Sequence, residues 1–157
     1  MATKTNAVRI VEQAGYHCRE AFYEYDENDL NGMHAAHAIN LPAEQVFKTL
    51  VARGSKTGIN VFCIPVCCEL NLKKAAKAAG DKNMELIPVK ELLAITGYIR
   101  GGCSPIGMKK KYPTYIDETC QLYDFIAVSA GERGHQMMLS FEAILNLNGG
   151  KLADIIQ

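Results

Sequence analysis

Helical patterns in this 157-residue chain are repeatedly cut short by glycine, and that limits the fold more than any other feature. Residues 4 to 14 (KTNAVRIVEQA) place Ala7, Val8, Val11 and Ala14 on one helical face, and Gly15 follows where a helix stops. Asn71 stands where LKKAAKAA needs an N-cap, and Gly80 ends that segment. VKELLAIT runs into Gly97. Ser140 precedes FEAILNLN, which Gly149 and Gly150 close. A further short helix over HAAHAI ends near Asn40 and Pro42. These helices have only about two turns each.

Apolar segments that read as strands lie between them. EQVFKTLVA enters a turn at RGSKTG and INVFCIPV returns, a hairpin of two apolar strands. YHCREAFYEY is aromatic and β-prone, and DENDLNG after it is turn chemistry. MELIP and TYID read as short strands. YDFIAVSAG is strongly apolar, and across the turn ERG the segment HQMMLS returns antiparallel. Hairpins interleaved with two-turn helices predict an α+β, mixed-sheet fold rather than a regular βαβ winding. The length and the absence of linkers or repeats predict one domain over residues 1–157.

No stretch approaches ~18 uninterrupted apolar residues, and MATKTNAVRI lacks the apolar centre of a signal peptide. A cytoplasmic protein with no membrane partner is expected. Six cysteines fall at positions 18, 63, 67, 68, 103 and 120. Cys63, Cys67 and Cys68 form C-x3-CC, with no CxxC pair or nearby histidine to complete a zinc set. Free structural thiols are expected, with a redox or metal-binding role for these three as the competing reading. His34 and His37 lack a third ligand and read as surface residues, so no metal and no cofactor is expected.

Net charge is zero, yet its distribution is uneven. From Lys73 to Lys111 there are nine Lys or Arg and three acids, whereas the first sixty residues hold seven acids and six bases. That asymmetry fits a polyanion met on one face, or a solvated lysine-rich surface.

The segment IRGGCSPIGMKKKYP, residues 99–113, combines two glycines, a Cys-Ser-Pro corner and three lysines. Gly101 and Gly102 leave backbone N–H groups open to a ligand oxygen, so the loop either cradles an anion or is a turn shaped by sterics alone. It matches neither a Walker loop nor a dinucleotide fingerprint. Lys48 stands in the apolar run VFKTLV, and either leaves the solvent face of a strand or points into a pocket, where it could bind a carbonyl oxygen or a phosphate. Ser129, in VSAGERG, ends the most apolar strand, as a site residue or as a turn residue. Neither a nucleophile elbow nor a Ser-His-Asp arrangement is evident.

In this order EQVFKTLV, PVCCELNLKKAAKAAG, TGYIRGGCSPIGMKKKYPTYID and IAVSAGERG, followed by a C-terminal helix, resemble the YbaK/EbsC family of aminoacyl-tRNA deacylases. These are relatives of the editing insertion domain of bacterial prolyl-tRNA synthetase, and the resemblance covers nearly the whole chain. It implies a mostly antiparallel, barrel-like mixed sheet with helices around it. It implies trans-editing of mischarged tRNA, most typically cysteinyl-tRNA(Pro) and also cysteinyl-tRNA(Cys), with prolyl-tRNA synthetase as a candidate partner. The oligomeric state is left open. In the cysteine branch the substrate's own thiol attacks its ester carbonyl, so no protein nucleophile is needed.

Residue by residue, the resemblance places Lys48, Gly101 and Gly102 at the reaction centre. Tyr23, Ser104, Pro105, Gly107 and Ser129 fall in the substrate pocket, and Lys109, Lys110 and Lys111 lie where tRNA phosphates would be met. Two positions depart from the family pattern. Gln136 stands where the cysteine-editing branch commonly has an acidic residue, and Asn31 stands before Gly32 where a phenylalanine is frequent. Alanine in place of cysteine as the amino acid removed, and a non-catalytic tRNA- or synthetase-binding module of the same fold, are the alternatives.

Overall fold

The computed structural model describes residues 4–157. In chain order the elements are α1 (Asn6–Gln13), β1 (Arg19–Phe22), α2 (Gly32–Ala38), β2 (Phe47–Gly54), β3 (Gly58–Pro65), α3 (Leu72–Ala79) and β4 (Glu85–Leu86). They continue with α4 (Val89–Thr96), β5 (Thr114–Asp117), β6 (Ile126–Glu132), β7 (His135–Leu139), α5 (Phe141–Asn148) and β8 (Lys151–Ala153).

Asn71, Ser140 and the glycine stops act as the sequence predicts, and Thr5 and Asn31 are caps that it did not announce. Thr5, Asn31, Asn71 and Ser140 each accept a backbone N–H from the first turn of α1, α2, α3 and α5. Gly80, Gly97 and Gly149 take left-handed φ at the helix ends, a conformation that costs a side chain but not glycine.

Five strands form a sheet in the order β4-β2-β3-β5-β8, and three form a second sheet, β1-β7-β6. The β2–β3 hairpin runs in register from Phe47↔Pro65 to Gly54↔Gly58, so the turn is tighter than the predicted RGSKTG. Pairing is mostly antiparallel, but β3–β5 and β5–β8 are parallel. The predicted first strand shortens to Arg19–Phe22, and the predicted start of the second becomes a 3-10 turn over Ala43–Gln45. β8 has no counterpart in the sequence reading. Its three residues carry too little alternation to announce a strand, and only the distant β5 holds them there.

The sheets do not close into a barrel. A single parallel bridge, Val46↔Ala127, joins them. Their facing surfaces enclose the main core, where Phe47, Val61 and Ile116 from one sheet meet Ile126, Val128 and Met137 from the other. Val8 and Val11 of α1 and Ile144 of α5 complete it. On the other face of the larger sheet, Phe62 and Ile64 pack with Ala75 and Ala76 of α3. Beyond the bridge β2 and β6 separate, and the gap stays open as a cleft lined by both strands. Among the described residues no helix is long and apolar enough to cross a membrane.

Candidate active site

The cleft has a volume of about 380 Å³, in the range that holds a drug-sized ligand. β2 supplies Phe47 to Val51 to one wall, β6 and β7 supply Ser129 and Gln136, and α2 and its preceding loop supply Leu30 and His34. The Gly101 loop closes a third side, and Leu86, Ile87, Val89 and Leu92 form the remaining rim. Because Val66 N–H donates to the Val46 carbonyl, alternate β2 residues turn their backbone groups toward β3. On the other edge β4 takes up part of the strand, Ile87 N–H donating to the Val51 carbonyl.

Five of the predicted site residues line this one cleft: Tyr23, Lys48, Gly101, Ser129 and Gln136. Lys48 is half-buried and belongs to no ion pair among the described residues. It is among the residues that line the cleft. Ser129 is 8% exposed and its hydroxyl accepts the Gly131 N–H at 3.1 Å. Gln136 is 6% exposed; its amide N–H donates to the Tyr23 hydroxyl at 3.5 Å, while its carbonyl oxygen is buried without a partner. A buried polar oxygen left unpaired is costly to the folded chain.

The glycine loop divides. Gly101 (φ +86°) and Cys103 face the cleft, and neither backbone N–H meets an acceptor among the described residues. Gly102 stands behind them: it is buried, and its N–H donates to the Ile99 carbonyl at 3.0 Å. The N–H groups left without an acceptor are therefore those of Gly101 and Cys103, not Gly101 and Gly102, because the turn from Ile99 consumes the second glycine's N–H. Gly102 is needed for close approach instead. A Cβ there would lie 3.1 Å from Glu132 Cα and 3.2 Å from the Arg133 nitrogen.

Ser104, Pro105 and Gly107 are not at the cleft surface. Ser104 is fully buried, its hydroxyl accepting the Ile106 N–H, and the Pro105 carbonyl accepts the Asn148 amide at 2.7 Å. Gly107 packs against Tyr98, whose hydroxyl donates to the Ile106 carbonyl. These residues hold the loop against the core. Lys109 is exposed and lies across the end of α4, donating to the Ala94 carbonyl. Lys110 and Lys111 are exposed beside a separate, smaller depression that contains Pro105 and Gly107.

Two arginines that sequence reasoning did not single out stand at the cleft. Arg100 and Arg133 both line it, and Arg133 Nε donates to the Arg100 carbonyl at 2.9 Å, tying the glycine loop to the β6–β7 turn. Their signal was present: Arg100 adjoins Gly101, and Arg133 lies within VSAGERG. With Lys48 they give the cleft three cationic groups against one carboxylate, Asp29.

No activated protein nucleophile is built here. Burial pushes the Cys103 thiol up to about 12, so it stays protonated and weakly nucleophilic near neutrality. Ser129 has no histidine partner, and His34 contacts the Glu24 carbonyl. The exposed Cys67 and half-buried Cys68, with sulfurs 3.9 Å apart, lie outside the cleft lining.

A mixed α+β domain with a basic cleft, free backbone donors and no nucleophile of its own suits one end of a polyanionic substrate carrying a reactive carbonyl. The chain belongs to the aminoacyl-tRNA editing domain family, whose model matches residues 33–147. It is 50% identical over 152 residues to an Enterococcus faecalis protein assigned as the Cys-tRNA(Pro)/Cys-tRNA(Cys) deacylase EbsC, covering 97% of this chain and 93% of that one. A proline–tRNA ligase of Shouchella clausii is 31% identical over 101 residues, 64% of this chain and 18% of the ligase. The fold matches a solved structure described as a trans-editing enzyme for prolyl tRNA synthetase, with TM-score 0.83, 24% identity and 99% of both chains covered. The chain is thus an aminoacyl-tRNA deacylase of the editing type.

Proposed function

We propose that the cleft removes cysteine from mischarged tRNA(Pro), and from tRNA(Cys), by letting the substrate's thiol displace its own ester. The observation that carries this reading is the cleft's chemistry: free backbone donors and cationic groups surround a space in which the one protein thiol is held protonated. The cysteine sulfur forms a bond to its carbonyl carbon as the ester C–O bond breaks. The thiol proton ends on the ribose oxygen, and the products are a cyclic thiolactone and deacylated tRNA.

In this scheme the Gly101 and Cys103 N–H groups receive the developing oxyanion, a stabilisation worth on the order of 3 kcal/mol per donor. The unpartnered Gln136 carbonyl accepts from the substrate's α-ammonium, beside the Tyr23 hydroxyl. Ser129 bounds the side-chain end. Lys48 holds the phosphate or ribose oxygen next to the scissile ester. One domain spanning residues 1–157 performs the reaction, and prolyl-tRNA synthetase is the proposed partner that delivers the tRNA. Lys110 and Lys111 remain proposed contacts for phosphates further along the acceptor stem.

The test is deacylation of cysteinyl-tRNA(Pro) and alanyl-tRNA(Pro) by the wild-type chain and by Lys48→Ala, with capture of the released product. Cysteine release as thiolactone, reduced on the order of 100-fold by Lys48→Ala, is the expected result. Lys48 is half-buried and unpaired, so the variant should melt within a few degrees of wild type. Release of alanine alone would move the chain to another amino-acid specificity. Binding of tRNA without release of either would leave a non-catalytic module.

A further inference from the structure

Outside the cleft lining, one pair of thiols takes no part in the chemistry proposed above. β3 ends at Pro65, and Cys67 and Cys68 follow in a turn that the Cys68 N–H closes on the Pro65 carbonyl at 3.0 Å. The Val66 N–H donates to the Val46 carbonyl at 2.8 Å and fixes that turn against the residue before β2. Adjacent side chains of an extended strand point to opposite faces. The turn instead brings the two sulfurs within 3.9 Å of each other. Cys67 is exposed and Cys68 half-buried, whereas Cys63, Cys103 and Cys120 are buried. The Cys67 sulfur also lies 3.9 Å from the Glu44 carboxylate.

We propose that Cys67 and Cys68 form a two-thiolate site for a soft, thiophilic ion, Cu(I) or trivalent arsenic. Neither cysteine lines the cleft, so the site does not depend on the editing reading. Thiolates select soft ions. The pair suits such an ion better than a disulfide, because consecutive Cα atoms are about 3.8 Å apart and disulfides usually span about 4.4–6.8 Å. An ion bound by both sulfurs leaves them apart and imposes no such closure. Zinc is the poorer fit, since its sites take three or four protein ligands. Among the described residues no group of three or more His, Cys, Asp and Glu is gathered to hold one. Burial and the neighbouring Cys67 raise the Cys68 thiol, while the positive charge of Lys48 works the other way and favours the thiolate that binding requires. With an organoarsenic(III) oxide both S–H bonds break, two As–S bonds form, and the oxide oxygen leaves as water. Cu(I) releases the two protons to the buffer and keeps its oxidation state.

The probes are phenylarsine oxide and Cu(I) buffered by a chelator, each added in one equivalent to the reduced full chain. Intact mass and thiol counting should show one arsenic per chain with two thiols consumed, released by a dithiol and not by an equal concentration of a monothiol. Two thiolates on one turn act on the ion at high effective concentration, so Cys67→Ser and Cys68→Ser should each weaken binding about 100-fold or more. Cys18→Ser, which removes a half-buried thiol elsewhere, should bind as the wild type does. Both turn variants should melt within a few degrees of wild type, which separates lost ligation from lost fold. Arsenic capture without Cu(I), or the reverse, would assign the site to that ion, and capture of both would support the shared chemistry. Unchanged affinity in either turn variant, release by the monothiol, or zinc retained in preference to both probes would overturn the proposal.

Discussion

The side-chain amide of Gln136 on β7 lies 3.5 Å from the Tyr23 hydroxyl just beyond β1, and its carbonyl oxygen meets no donor among the described residues. Leaving such an oxygen unpaired costs about 1–3 kcal/mol. Removing it should therefore relieve the fold while harming the site. Gln136→Met is expected to melt at or above the wild-type temperature and to lose roughly tenfold in kcat/KM, the scale of one hydrogen bond to a charged group. Gln136→Asp should lower KM for a substrate with a free α-ammonium and leave an N-acetylated substrate unimproved. Unchanged kinetics in both variants would remove Gln136 from substrate contact.

Gly102 is a packing requirement, not a donor. A Cβ there meets backbone atoms of Glu132 and Arg133, and backbone cannot swing aside as a flexible side chain can. Gly102→Ala should cost roughly 1–3 kcal/mol, the range for overpacking, read as a lower midpoint in denaturant. The same push displaces the Arg133–Arg100 contact, so KM for tRNA should rise with it.

The thiols report on the folded state at high pH. Burial pushes Cys63, Cys103 and Cys120 up to about 12, from an ordinary value of 9. Between these limits the unfolded chain has lost protons that the folded chain keeps. Stability is therefore full below about pH 9 and falls as pH rises toward 12, by up to about 1.4 kcal/mol per pH unit for a thiol as enclosed as Cys63. Denaturation midpoints at pH 7, 9 and 10.5 should show the decline only at the highest value. In the native state at pH 8, Cys67 and Cys68 should alkylate first, and the three buried thiols only on unfolding.

Arg100 and Arg133, which line the cleft, should carry more of the ionic dependence than the lysine cluster outside it, whose Lys109 is tied to the end of α4. Each phosphate contact contributes about 0.7 to the slope of log affinity against log salt for a single strand. Arg100→Ala and Arg133→Ala are each expected to flatten that slope by about this amount for an acceptor-end oligonucleotide. Lys110→Ala and Lys111→Ala should leave the short oligonucleotide unaffected and weaken only full-length tRNA. Equal effects on both ligands would move the phosphate path away from the cleft.

Much of this was written in local sequence, because helix caps and stops act over a few residues. Asn71 and Ser140 at helix starts, with Gly80 and Gly97 at helix ends, fix four of these boundaries whatever the rest of the chain does. The β2–β3 hairpin was equally legible, since its strands are adjacent and its turn residues unmistakable. The resemblance of VFKTLV, the glycine loop and VSAGERG to the editing family points to Lys48, Gly101 and Ser129, and all three line the cleft. Tertiary structure decided what depends on distant partners: the parallel pairing of β8 with β5, the open gap beyond Val46↔Ala127, and the division of residues 101–107 between cleft and core. A motif gives the order of Gly101, Gly102 and Ser104, but which of their N–H groups stays free depends on where Ile99, Glu132 and Arg133 come to rest. That is a matter of contacts between residues far apart in the chain, which no local pattern encodes.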